Sequence, residues 1–154
     1  MRPDMPTASD LSSHLGYWLR YVSNHVSHAF ALKLGSCDVT VAEWAILREL
    51  YGDDHRAPSH VAHKLGLTRG AISKLADRLI AKGFATRTAS ASDGRAQTLA
   101  LTAGGRRLVP KLAALADRND AEFFGHLGPK QRSAVERILK EIVRIRGLKS
   151  TPID

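Results

Sequence analysis

Apolar residues recur along most of this chain at steps of three and four, the spacing that lines one face of an α-helix. Between Asp10 and about Leu34, Leu11, Leu15, Trp18, Val22, Val26 and Ala29 keep that spacing and predict a long amphipathic helix. "GSCD" interrupts it. Thr40 and Glu43 then stand at capping-box spacing ahead of "VAEWAILREL", a second helix that "YGDD" ends in a loop. "APSHVAHKL" opens with a proline suited to a first helical turn and predicts a short third helix. Gly66 breaks it. Thr68 is placed to cap a fourth helix that reaches Lys82, with Gly83 just past its end.

The period then changes. "FATRTA" and "QTLALT" alternate as two strands of a hairpin around the polar tip "SASDGR". Thr102 is placed to cap a fifth helix from about Ala103 to Phe124, although its Gly-Gly start is poor helix material. "LGPKQRSAVERILKEIVRIRGL" is the clearest sixth helix: Pro129 lies near its first turn, Val135, Ile138, Leu139, Ile142 and Ile145 form a stripe, and Gly147 ends it. Four helices, a hairpin and two helices make a mainly helical protein, with no internal repeat or low-complexity run.

Charge changes what this pattern suggests. From His55 to Lys111 eleven Lys or Arg face two acids, a local +9. The rest of the chain holds twelve basic and thirteen acidic residues, so the overall +8 sits in the middle third. A concentrated positive segment points to a polyanionic partner. At 154 residues with 44% apolar residues, the chain has enough material for a core in one domain or two small fused ones. No stretch approaches the roughly 18 apolar residues of a membrane span. "MRPDMPTASD" carries acids and prolines in place of an apolar signal core, so the expected location is the cytoplasm. Cys37, the single cysteine, allows neither an internal disulfide nor a cysteine-cluster zinc site.

The third and fourth helices fit helix-turn-helix packing. Ala62 permits close approach, Gly66 makes the turn, and Ile72, Leu75 and Leu79 are expected to bury against the third helix. The opposite face carries Thr68, Arg69, Ser73, Lys74 and Arg78, side chains that donate to phosphates and base edges. Gly70 and Ala71 leave room for that face to enter a major groove. The hairpin that follows is then a wing carrying Arg95 beside the same duplex. A charge run alone is usually a solvated face, but here it lies on an ordered helix-turn-helix and wing.

"VAHKLGLTRGAISKLADRLIAKGFATRTASASDGRAQTLALTAGGRRL" resembles the winged-helix core of the MarR (multiple antibiotic resistance regulator) family of bacterial transcription factors. The matching features are "L..KGF..R" at the exit of the fourth helix, Asp93 and Arg95 in the tip, and "LT..G" at Leu101, Thr102 and Gly105. The flanking helices fit as well. The resemblance implies a single domain over 1–154, a DNA-binding winged helix-turn-helix lobe at 40–102, and dimerisation helices at 10–34 and 103–147. It implies a homodimer on double-stranded DNA, a repressor of a palindromic operator. Arg95 would enter a minor groove, with Asp93 holding the wing's shape. Gly94 stands where many members carry a second arginine, one cation fewer per wing.

Members of the family often bind small aromatic acids between the dimer helices and the lobe. His14, Trp18, Trp44 and Arg48 offer aromatic walls with an imidazole and a cation, which suits a phenolic or aromatic carboxylate effector. The plainer reading of both tryptophans is core packing. His25 with His28, and His60 with His63, stand at i, i+3 spacing, but no third ligand lies near, so no metal site is assigned. A lone cysteine is usually a small packed residue, so redox or metal response is an alternative rather than the expectation. No nucleophile–base pair, phosphate loop or carboxylate pair marks an enzyme, and no cofactor is implied. The main rival is a non-specific architectural DNA binder, separated by its salt slope and specificity ratio.

Overall fold

The computed structural model describes residues 7–52, 55–89 and 97–149. Its elements are a 3-10 turn at Leu11–Ser13, α1 (Leu15–Gly35), α2 (Val41–Tyr51), α3 (Pro58–Leu65), α4 (Arg69–Ala81), β1 (Ala85–Ala89), β2 (Gln97–Leu101), α5 (Ala103–Phe124) and α6 (Pro129–Arg146). This is the expected mainly helical winged helix-turn-helix. One boundary moves: α1 starts at Leu15 because His14 takes an extended backbone (φ −100°, ψ 129°) and separates the helix from the 3-10 turn.

Threonine caps set three of the helix starts. The Oγ1 of Thr40, Thr68 and Thr102 accepts the N–H of Glu43, Ala71 and Gly105 at 3.1, 3.1 and 3.0 Å. Each satisfies a donor that the first helical turn leaves over. Gly83 takes a left-handed φ of 80° directly after α4, where a side chain would be strained. The Gly-Gly start of α5 has a different cause. A Cβ on Gly105 would lie 2.1 Å from the Phe84 carbonyl oxygen, so only glycine lets α5 seat against the chain leaving α4.

The strands pair antiparallel, from Ala85 opposite Leu101 to Ala89 opposite Gln97. Arg56 adds an isolated bridge on the far side of β2: its N–H donates to the Leu99 carbonyl at 3.0 Å, and its carbonyl accepts the Leu99 N–H at 2.7 Å. A single paired residue leaves no alternation in the sequence to detect.

The core spans the lobe and the adjoining parts of α1 and α5. Leu34, Ile46, Leu47, Leu50, Val61, Ile72, Leu79, Leu99, Val109 and Leu112 are all essentially sealed from solvent. On α4 the buried positions are Ile72, Ala76 and Leu79, whereas Leu75, expected in that set, is only partly buried. At about 100° per residue Ala76 falls roughly 40° to one side of Ile72 and Leu79 roughly 20° to the other, while Leu75, roughly 60° away, falls at the stripe's edge. The terminal helices differ sharply from the lobe. No residue of α6 is buried, and α1 buries Leu34 alone.

Candidate nucleic-acid interface

The turn Gly66–Thr68 fixes how α4 meets α3. Gly66 adopts φ 69°, its N–H and that of Leu67 return to carbonyls of α3, and Thr68 then caps α4. With Ile72, Ala76 and Leu79 turned inward, Thr68, Arg69, Ser73, Lys74 and Arg78 are left exposed on the outer side, as the sequence pattern predicts. A Cβ at Gly70 would meet nothing closer than 4.0 Å, so this face has open space in front of it. Among the described residues Arg69, Lys74 and Arg78 have no acidic partner.

Other cations in the same basic segment are engaged within the chain. Lys64 Nζ lies 2.8 Å from Glu49 Oε1. Arg56 Nη1 meets His60 Nε2 at 2.5 Å. Arg87, on β1, donates from Nη1 to Asp77 at 2.5 Å and from Nη2 to the Ser73 carbonyl at 3.2 Å. Lys82, at the end of α4, donates to Glu43 Oε2 at 2.8 Å and to the Asp38 carbonyl at 2.7 Å. The local charge excess therefore divides into clamps that hold the lobe and side chains left for a ligand. Arg87 and Lys82 were counted as part of the cationic run in the sequence. Their structural roles depend on partners 10 and 39 residues away, beyond any local pattern.

Between the start of α3, α4 and the strands lies an open groove of about 700 Å³, with Arg69, Ser73, Asp77 and Arg87 on its walls. Arg87 neutralises Asp77, the one acid on α4, which would otherwise repel a phosphate. Asp93 and Arg95, expected to build the wing tip, lie outside the described residues, as do Gly94 and the loop acids Asp53 and Asp54.

The four residues expected at an effector site do not meet within one chain. Trp18 lines an apolar groove of about 790 Å³ between α1, the end of α5 and α6, and its Nε1 donates to the Ser12 carbonyl at 2.8 Å. His14 sits exposed at the start of α1. Trp44 instead packs edge-on against Phe30, centroids 6.3 Å apart, and Arg48 lies over the Tyr51 ring at 5.8 Å. Trp18 and Phe30 are separated by twelve residues of α1, roughly 18 Å along the axis. On the groove's rim, Lys140 hydrogen-bonds Glu136 and holds that carboxyl below the usual carboxylate range. His25 and His28 are exposed, with the His25 ring near Tyr21 at 5.0 Å. Among the described residues no three His, Cys, Asp or Glu side chains are grouped to hold a metal ion. No helix among them is long and apolar enough to cross a membrane.

A capped helix-turn-helix, a hairpin wing and a cationic outer face define a winged helix-turn-helix protein. A model of the MarR family matches residues 38–96. The chain is 24% identical over 143 residues to the multiple antibiotic resistance protein MarR of Escherichia coli K12, covering 90% of this chain and 99% of that one. It is 27% identical over 112 residues to the HTH-type transcriptional regulator PrsX of Escherichia coli, covering 71% and 68%. Among solved structures it is similar to the transcriptional repressor CouR bound to a 23-mer DNA duplex, with TM-score 0.80, 28% identity and coverage of 91% and 99%. CouR from Rhodococcus jostii RHA1 has also been solved bound to p-coumaroyl-CoA. The winged-helix segment is thus a MarR-family one, as the resemblance in its motifs implied, and the fold of those regulators extends over most of the chain.

Proposed function

We propose that this chain is a cytoplasmic, homodimeric transcription regulator that binds double-stranded DNA. Two copies of α4 read an inverted repeat, and binding represses. The observation that carries this reading is the outer face of α4: three exposed cations without acidic partners among the described residues, on a helix held by a capped helix-turn-helix. Arg69 lies in the first turn, where a recognition helix reaches base edges, while Lys74 and Arg78 lie further along and suit phosphates. CouR, a relative of the same fold, is a repressor solved on DNA. In this reading Arg95 enters a minor groove and Asp93 holds the wing. Residues 40–102 form the reading lobe, and 10–34 with 103–147 form the dimer.

Support for the dimer comes from what one chain cannot bury. Leu15, Trp18, Leu19 and Val22 on α1, and Val135, Ile138, Leu139 and Ile142 on α6, are each at least 42% exposed. Such a surface marks an interface, and a second copy supplies matching helices about a two-fold axis.

Release by a small aromatic or phenolic acid is the regulatory part of the proposal. The p-coumaroyl-CoA bound to CouR, a thioester that carries a phenol, supports the phenolic part of that class. His14 and Trp18 stand apart from Trp44 and Arg48 in one chain, so an effector touching all four is held between two copies. Binding of such an acid should quench tryptophan fluorescence and lower DNA affinity together. A panel of aromatic acids that changes neither removes the effector from the proposal.

Selection of duplexes from a random pool tests the main reading. It should return an inverted repeat with half-sites about one helical turn apart, roughly 10 bp or a multiple of it. A pool that yields no shared motif, with binding governed by salt alone, assigns the chain to non-specific DNA binding instead.

A further inference from the structure

The C-terminal end of α4 is where the terminal helices are joined to the recognition helix. On one side, Lys82 Nζ donates to the Asp38 carbonyl at 2.7 Å and to Glu43 Oε2 at 2.8 Å. Asp38 belongs to the turn that ends α1, and it holds a left-handed φ of 55°, sparsely populated for a residue with a side chain. Glu43 begins α2, is 1% exposed, and its other oxygen is met by the Thr40 hydroxyl at 3.2 Å. On the other side, the Thr102 hydroxyl that caps α5 donates to the carbonyl of Gly83 at 2.6 Å. Adjacent residues therefore tie α4 to α1 and α2 through Lys82, and to α5 through Gly83.

In the sequence Lys82 belongs to a cationic run. The structure turns it inward, onto a carboxylate that nothing else of positive charge meets among the described residues. Removing the lysine would leave that buried charge uncompensated. This geometry suits a part that fixes a pose better than one that grips a ligand.

We infer that Lys82 is a positioning residue: its bonds to Asp38 and Glu43 set the angle of α4 against the terminal helices, and so decide which half-site spacing the dimer accepts. The inference rests on the proposed DNA reading and deepens it. In a two-fold dimer the α1 and α6 helices fix the axis, and the distance between the two copies of α4 follows from how rigidly each is held to that frame. A slack joint lets each lobe swing, so wrong spacings cost less. Specificity for spacing is lost before contact with either half-site is.

The test uses the full-length protein, the inverted-repeat duplex returned by pool selection, and two derivatives with one base pair inserted or removed between the half-sites. The single Lys82→Met change strands Glu43 and risks unfolding, so the main variant is Glu43→Gln with Lys82→Met. Glutamine at this position keeps a side-chain oxygen to accept the Thr40 hydroxyl, and methionine keeps the length of lysine without charge. Thermal melts establish that wild type and variant are folded at the assay temperature. The expected result is that the variant loses about fivefold or more of the wild-type preference for the selected spacing. Its salt slope on the selected duplex stays at the wild-type value. A slope lower by about one unit per chain would show Lys82 on a phosphate and overturn the inference. An unchanged spacing preference in a folded variant would overturn it as well. If the wild type itself has no preference for an inverted repeat, the DNA reading fails rather than the role of Lys82. A double variant that does not fold is replaced by Lys82→Gln, which still donates toward Glu43 but is too short to reach the Asp38 carbonyl as well; the same two readouts decide.

Discussion

Arg69 and Lys74 are both exposed on α4, five residues apart, and the proposed DNA reading gives them different work. An arginine in the first turn is placed for base edges and a lysine in the middle for phosphate. Arg69→Ala should cost on the order of 1–3 kcal/mol per half-site on the selected duplex and relax one base preference, with little loss on a scrambled one. Lys74→Ala should weaken both duplexes alike and flatten the salt slope by about one unit per chain. Binding titrations at several salt concentrations separate the two, and equal losses for Arg69→Ala on both duplexes would make it a phosphate clamp. The glycines of the α5 start divide in a similar way. A Cβ on Gly105 collides with the Phe84 carbonyl, whereas one on Gly104 finds its nearest neighbour at 3.6 Å. Gly105→Ala should destabilise the fold by about 1–3 kcal/mol. Gly104→Ala should be neutral or stabilising by up to ~1 kcal/mol, from improved helix propensity. Denaturant melts decide, and a Gly105→Ala protein as stable as wild type would contradict the close seating of α5.

Among the elements, α6 has the clearest amphipathic stripe in the sequence and buries nothing within the chain. The stripe calls for an apolar partner, and among the described residues it faces an open groove against α1 and α5. Ile138→Asp or Ile142→Asp should shift the protein toward monomer, or toward aggregation, in sedimentation velocity at micromolar concentration. A dimer unaffected by both would place the seam elsewhere. Much of this organisation was legible in the sequence because it is local. The capping threonines, the proline at the first turn of α3 and the glycines after α3, α4 and α6 each act within four residues of their partners. The exposed face of α4 followed from helical periodicity. Long-range contacts were not legible. Nothing near Lys82 in the sequence announces Glu43, and nothing near Arg87 separates a clamp on Asp77 from another DNA contact. The separation of Trp18 from Trp44 within one chain was not legible for the same reason: both are aromatic residues on early helices, but Phe30 claims one and the terminal groove the other.

At the scale of the whole molecule, two surfaces stand apart. The outer face of α4 carries cations with no acidic partner among the described residues, and α1 and α6 carry most of the exposed large apolar residues. A molecule so divided is suited to pair through one part and bind a polyanion through the other, with α4 and its joints between them. Sedimentation velocity of the protein with the selected duplex tests this most directly, run beside a duplex in which one half-site is scrambled. Two chains should bind the intact duplex in a single transition, and the half-scrambled duplex should bind far more weakly. One chain per half-site, each binding independently and with equal affinity on both duplexes, would contradict a dimer that reads an inverted repeat.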